Sequence, residues 1–107
     1  MKLEIDKVYT FVVGSRDIVG KLVSEDEESI VIGYPMTIMP VGPNSIGPVP
    51  IDKIGEIKEV TIHSWAVFGY WPATGKTAEI FDKYSKEMQM AQTGLVYASS
   101  LADIGKK

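Results

Sequence analysis

Four consecutive acids, Glu25, Asp26, Glu27 and Glu28, form the densest charge in the chain. Carboxylates gathered this way can bind a hard cation, repel phosphate, or keep a turn in water. The run SEDEES lacks the alternating ligand spacing and the central Gly of a calcium loop, so a solvated hairpin tip is the plainer reading. His63 is the only histidine and there is no cysteine. One imidazole without such a partner makes a poor metal site, and no metal or cofactor is expected. His63 could pair with Ser64 or an acid for nucleophilic work, but no strained Gly-x-Ser-x-Gly turn accompanies it. Gly75-Lys76-Thr77 is similar to the end of a phosphate-binding loop, but Tyr70 stands where that motif needs its first Gly. The βαβ units that such a loop serves are also missing from the pattern. With no acid–base or metal constellation, an enzyme is not expected.

The other chemistry on offer is aromatic. Tyr34, Trp65, Phe68, Tyr70 and Trp71 can stack on bases, or they can fill a core or a subunit interface, since each buries a large area.

The elements that must position these residues are mostly strands. Val8 to Val13 is rich in β-branched and aromatic residues, and Gly14 to Asp17 reads as a turn. Ile18 to Val23 is a second strand, with Ile18, Gly20 and Leu22 on one face and Val19, Lys21 and Val23 on the other. Gly20 in mid-strand points to a bend or a close approach of backbone. The acidic tip follows, then a third strand from Ser29 to Tyr34, bent onward toward Met39. Five of the six prolines lie between Pro35 and Pro50, so a loop with some edge pairing is expected there. Gly55 to Ile62 and Trp65 to Trp71 complete five strands, separated by a break at His63-Ser64. Lys76 to Ala91 has helical periodicity, with Ile80, Phe81, Tyr84, Met88 and Ala91 in one stripe and Gly94 just past its end. Leu95 to Ala98 reads as a short strand before a polar tail.

The 107 residues allow one domain, and 45% apolar with 23% charged residues is an ordinary globular composition. Net charge is −3, which argues against wrapping nucleic acid by bulk charge. No apolar run nears the roughly 20 residues of a membrane span, so no membrane partner is expected. The residues MKLEIDKVYTF lack a signal-peptide pattern. Together with the lack of cysteine, this makes a cytoplasmic location the expectation.

The stretch VYTFVVGSRDIVGKLVSEDEESIVI resembles the first sequence motif of the Sm/LSm family, which includes bacterial Hfq. The matching features are Gly14, Ile18, Gly20, Leu22, Asp26 and the strand Ile30-Val31-Ile32. Thr61 to Phe68 looks weakly like the second motif, where Arg-Gly normally sits between strands four and five. The match is nearest in style to the Sm-like proteins of cyanophages and marine metagenomes. It implies a five-stranded, strongly bent antiparallel open barrel over residues 1–72. A C-terminal helix and tail over 73–107 would pack on that barrel or on a neighbour.

The resemblance further implies a homo-oligomeric ring, pentamer to heptamer, in which strand four of one subunit pairs with strand five of the next. It implies RNA binding or RNA regulation, in a bacterial host cell if the protein is phage-encoded. By position in the two motifs, the RNA contacts would be Asp26, Glu28, Ile30, His63 and Trp65. The departures matter. Glu28 and Ile30 stand where the family carries its loop Asn and stacking residue, and His63-Ser64 stands for Arg-Gly. Only Asp26 is kept, and its implied role is to support the loop. A ring that binds protein rather than RNA, as a structural adaptor, is the alternative expectation.

Overall fold

In the computed structural model the backbone is described for residues 1–52 and 55–102, and the side chains for 1–52 and 55–91. Strand β1 (Val8–Val13) turns through Gly14 into β2 (Arg16–Glu25), with Val13 opposite Arg16 and Val8 opposite Lys21. Gly14 takes φ +64°, a conformation that L side chains rarely adopt, so the turn is built on its missing Cβ. The acidic tip leads into β3 (Ser29–Gly42), which runs back along β2.

The long proline-rich segment differs from expectation. The edge pairing expected there is present, but as regular strand in place of loop: β3 continues past Met39 to Gly42, and β4 (Ser45–Pro50) folds back antiparallel. Among the described residues six strands are therefore present where five were expected. Proline is tolerated because β4 pairs on one side only.

Strand β5 (Glu59–His63) begins later than Gly55. The Asp52 carboxylate accepts from the N–H groups of Gly55 (2.9 Å), Glu56 (2.8 Å) and Ile57 (3.1 Å), which holds these residues in a turn. Burial pushes the Asp52 carboxyl up, yet those donors together bring it below its usual range. A single 3-10 turn over Ser64–Ala66 then leads into β6 (Val67–Pro72), so Trp65 belongs to the corner and not to a strand.

The strands follow the path β4-β3-β2-β1-β6, and β5 pairs with β3 as well. Strand β3 gives residues 29–33 to β5 and 36–42 to β4 along the same edge, opposite its ladder with β2. The sheet is all antiparallel and stays open, because β5 and β6 do not pair with each other.

Two cores form, one on each face. Tyr9, Phe11, Ile18, Leu22, Ile30, Ile32 and Ile62 fill the inner face. Val19 and Met36 pack with Phe81 and Tyr84 of helix α1 (Gly75–Ala102) on the outer face. Two bulges make this possible. Between Gly33 and Met36, β3 carries one residue more than β2 opposite, and Tyr34 there takes φ +51°. The strand thereby sends Ile30 and Ile32 inward but Met36 outward. A second extra residue lies in β2 between Leu22 and Ser24.

Gly20 is buried, and a Cβ there would lie 2.9 Å from Ile32 Cδ1 and 3.0 Å from Ile32 Cβ. The close approach expected at this glycine is to a side chain of the facing strand.

Helix α1 runs for 28 residues, past Gly94 and through Leu95 to Ala98, so that stretch is helix and not strand. Phe81 and Tyr84 are buried, and Ile80 and Met88 pack half-buried beside them, while Ala91 is exposed. Asp82 and Lys86 form their i,i+4 pair at 3.0 Å. Through Phe81 and Tyr84 the helix packs on Val19 and Met36 of the sheet. Among the described residues no helix is long and apolar enough to cross a membrane.

Candidate functional site

Asp26 organises the acidic tip. Its Oδ1 accepts from the N–H groups of Glu28 and Ser29, both at 2.8 Å, and from Ser29 Oγ at 3.4 Å. Its own N–H donates to the Ser29 carbonyl at 2.9 Å. Such a side chain mimics a backbone turn, and the carboxylate is the better acceptor when ionised. The donors of Glu28 and Ser29 hold the Asp26 carboxyl below its usual range. Asp26 thus holds the turn through three contacts of 2.8–2.9 Å and a longer one.

The stretch from Thr61 to Phe68 comes to the same place. His63 lies opposite Ser29 across the β3–β5 ladder. The Ser64 N–H donates to the Glu28 carbonyl at 2.8 Å, which fastens the β5–β6 corner to the tip. The side chains of Asp26, Glu27, Glu28, Ser29, Thr61 and His63 then surround an open hollow of about 360 Å³. His63 stacks on Trp65 with ring centroids 5.6 Å apart and planes 15° from parallel. Trp65 is 79% exposed and Phe68 74%.

Of the five residues expected to touch RNA, Asp26, Glu28 and His63 share the hollow, and Trp65 stacks at its rim. Ile30 does not belong there. It has 0% exposure and packs among Leu22, Ile32 and Ile62, so it has no surface to offer a base. The inward face of β3 claims it, because Ile30 and Ile32 are two residues apart on one pleat. Ser29 and Thr61 were not foreseen. Ser29 had a signal, since an Asp followed by a Ser three residues later at a strand start is turn chemistry. Thr61 had none, because its place depends on the β3–β5 register.

The hollow presents three acids and one imidazole, with no lysine or arginine among the described residues of its lining. It is built to favour a cationic or neutral group over a phosphate. Positive charge lies elsewhere. Lys21 and Lys58 are exposed, and both adjoin Gly33, with Lys21 opposite it in the β2–β3 ladder and the Lys58 carbonyl taking the N–H of Tyr34 at 2.7 Å. Gly33 is four residues along β3 from Ser29, roughly 13 Å from the hollow. Lys53 and the C-terminal lysines lie outside the described residues. Among the described residues no group of three or more acids and histidines is placed to hold a metal ion.

Compared with known proteins, the chain matches no protein-family model and no curated protein sequence.

Proposed function

We propose that this chain is an Sm-like subunit that closes with copies of itself into a ring and holds single-stranded RNA on that ring. The observation that carries the reading is the pair of unpaired sheet ends. Strands β5 and β6 each use one edge only, and the 3-10 corner joins them. Beside them Trp65, Phe68, Tyr70 and Trp71 are all exposed, from 40% to 79%. A soluble protein covers such edges and such apolar area, and head-to-tail pairing of identical subunits covers both at once. The path β6-β1-β2-β3-β5 supports the family reading, since it leaves the last two of these strands as the ends that the family joins between subunits.

RNA on such a ring avoids the acidic hollow and uses the outer surface near Lys21 and Lys58, where positive charge meets phosphate. The second reading, a ring that adapts one protein to another, is favoured by the hollow itself. Three carboxylates without a basic neighbour suit a lysine- or arginine-bearing segment better than a nucleic acid.

Mass by light scattering tests assembly. A multiple of the 11.8 kDa chain mass that holds on dilution supports the ring, and a single-chain mass at micromolar concentration removes it. Binding of uridine- or adenine-rich RNA that weakens as salt rises supports the RNA role. An assembled protein without such binding leaves the adaptor.

A further inference from the structure

Strand β4 also has an edge, and it differs from the others. Its ladder matches Met36 with Pro50, Ile38 with Pro48, and Pro40 with Ile46. Proline has no N–H to donate. In an antiparallel ladder, pairs that exchange hydrogen bonds alternate with pairs whose N–H and C=O groups point away. The three proline-bearing pairs, two residues apart, are therefore of the second kind. The pairs between them, Thr37 with Val49 and Met39 with Gly47, carry the hydrogen bonds. The donors that β4 turns outward are then those of positions 46, 48 and 50. Two of these three are prolines, and only the Ile46 N–H remains.

Strand β5 contains no proline, and β6 has one only at its last residue, Pro72. The contrast is set by position, because β4 and β5 lie end to end along the same edge of β3. An incoming strand that could choose either would make two kinds of contact. Met39, Val41 and Ile46, about half exposed, would give the wrong one an apolar surface to settle on.

We propose that Pro48 and Pro50 seal the β4 edge against strand addition, so that a second copy of this chain pairs along β5 and β6 alone. The second half rests on the self-assembly reading above, and the seal itself does not. With the edge sealed, each subunit has one way in and one way out, and assembly closes. With the edge open, subunits branch or stack into aggregates of rising size.

The test uses the full chain and the variants Pro48→Thr, Pro50→Thr and both together. Threonine suits a strand and restores the donor. The expected result for the double variant is a mass of two or more wild-type assemblies, growing with protein concentration, while far-UV circular dichroism keeps its β signal. Adding Ile46→Lys to the double variant should return the mass toward wild type, because an edge lysine is another guard. A double variant with wild-type mass and a wild-type spectrum at every concentration overturns the seal. Should the double variant lose its fold, the single variants decide by the same readout. A wild type of single-chain mass would remove the ring, yet the variants would still judge the seal by whether they associate.

Discussion

The Ser64 N–H and the Glu28 carbonyl lie 2.8 Å apart, and this one hydrogen bond joins two turns that are distant in sequence. It adds to the β3–β5 ladder, which sets His63 opposite Ser29, in bringing both turns to one hollow. Proline at position 64 tests it closely. His63 is extended, at φ −66° and ψ 137°, which suits a residue before proline, and the first position of a helical turn accepts proline. Ser64→Pro should therefore keep the corner and delete this one donor. The expected loss is about 0.5–1.5 kcal/mol in a denaturant titration. An unchanged midpoint would mean that the tip and the corner are held together by other contacts.

Acid should loosen the tip. The Asp26 carboxyl titrates below its usual range in the folded chain, because Glu28 and Ser29 donate to it. A group depressed on folding lends stability that is whole above the unfolded pKa and is lost as pH falls through the folded one. The loss belongs below about pH 4. Asp26→Asn keeps an acceptor oxygen and removes the titration, so its stability should fall less steeply with acid than the wild type's. Urea midpoints at neutral pH and near pH 3 give the comparison. Parallel curves for the two proteins would exclude Asp26 as a source of the slope, and Asp52, depressed in the same direction, would be the next to vary.

The inner core should be sensitive in both directions. Leu22 has 0% exposure, and Leu22→Ala should cost about 2–5 kcal/mol. Gly20→Ala places a Cβ against the Ile32 side chain at 2.9 to 3.0 Å and should cost about 1–3 kcal/mol by crowding. Replacing Ile32 with Val in the Gly20→Ala background should recover part of that loss. If Gly20→Ala is neutral, β2 and β3 are farther apart at this point than the register implies.

The acids of the tip should matter to any nucleic acid that approaches. Glu27→Gln with Glu28→Gln removes two of the three charges around the hollow without altering the Asp26 turn. RNA affinity should rise, more at low salt than at high, since such repulsion is screened over about 8–10 Å at ordinary ionic strength. Equal affinity at low salt would place the RNA path out of reach of the tip. Weaker binding would mean that the acids themselves hold the ligand.

Much of this was legible from sequence where local chemistry decides. Gly14 announced its turn, Gly20 its close approach, and Asp26 its loop, because each acts within a few residues or across one ladder. The apolar pair Ile80 and Phe81 with Tyr84 announced the buried helix face. The proline-rich segment was misread because proline content says that a strand is constrained, not which edge it turns outward. That depends on the register of Pro48 against Ile38. Ile30 was misplaced for a related reason. Alignment to a motif fixed its place in the chain, while the pleat it shares with Ile32 fixed its direction. Gly94 does not end α1, because a glycine within a long helix costs only about 1 kcal/mol.

The extra residue at Tyr34 gives strand β3 something like a reading frame. Upstream of it, alternate positions supply the interior through Ile30 and Ile32; downstream, Met36 and Ile38 serve the layer under α1. Deleting Tyr34 would remove that extra residue, leaving Pro35 opposite Gly20 and Met36 still opposite Val19, so the duties on both sides would stand. A single-residue deletion should thus be tolerated better at Tyr34 than elsewhere in β3, where it would turn the residues beyond it to the other face.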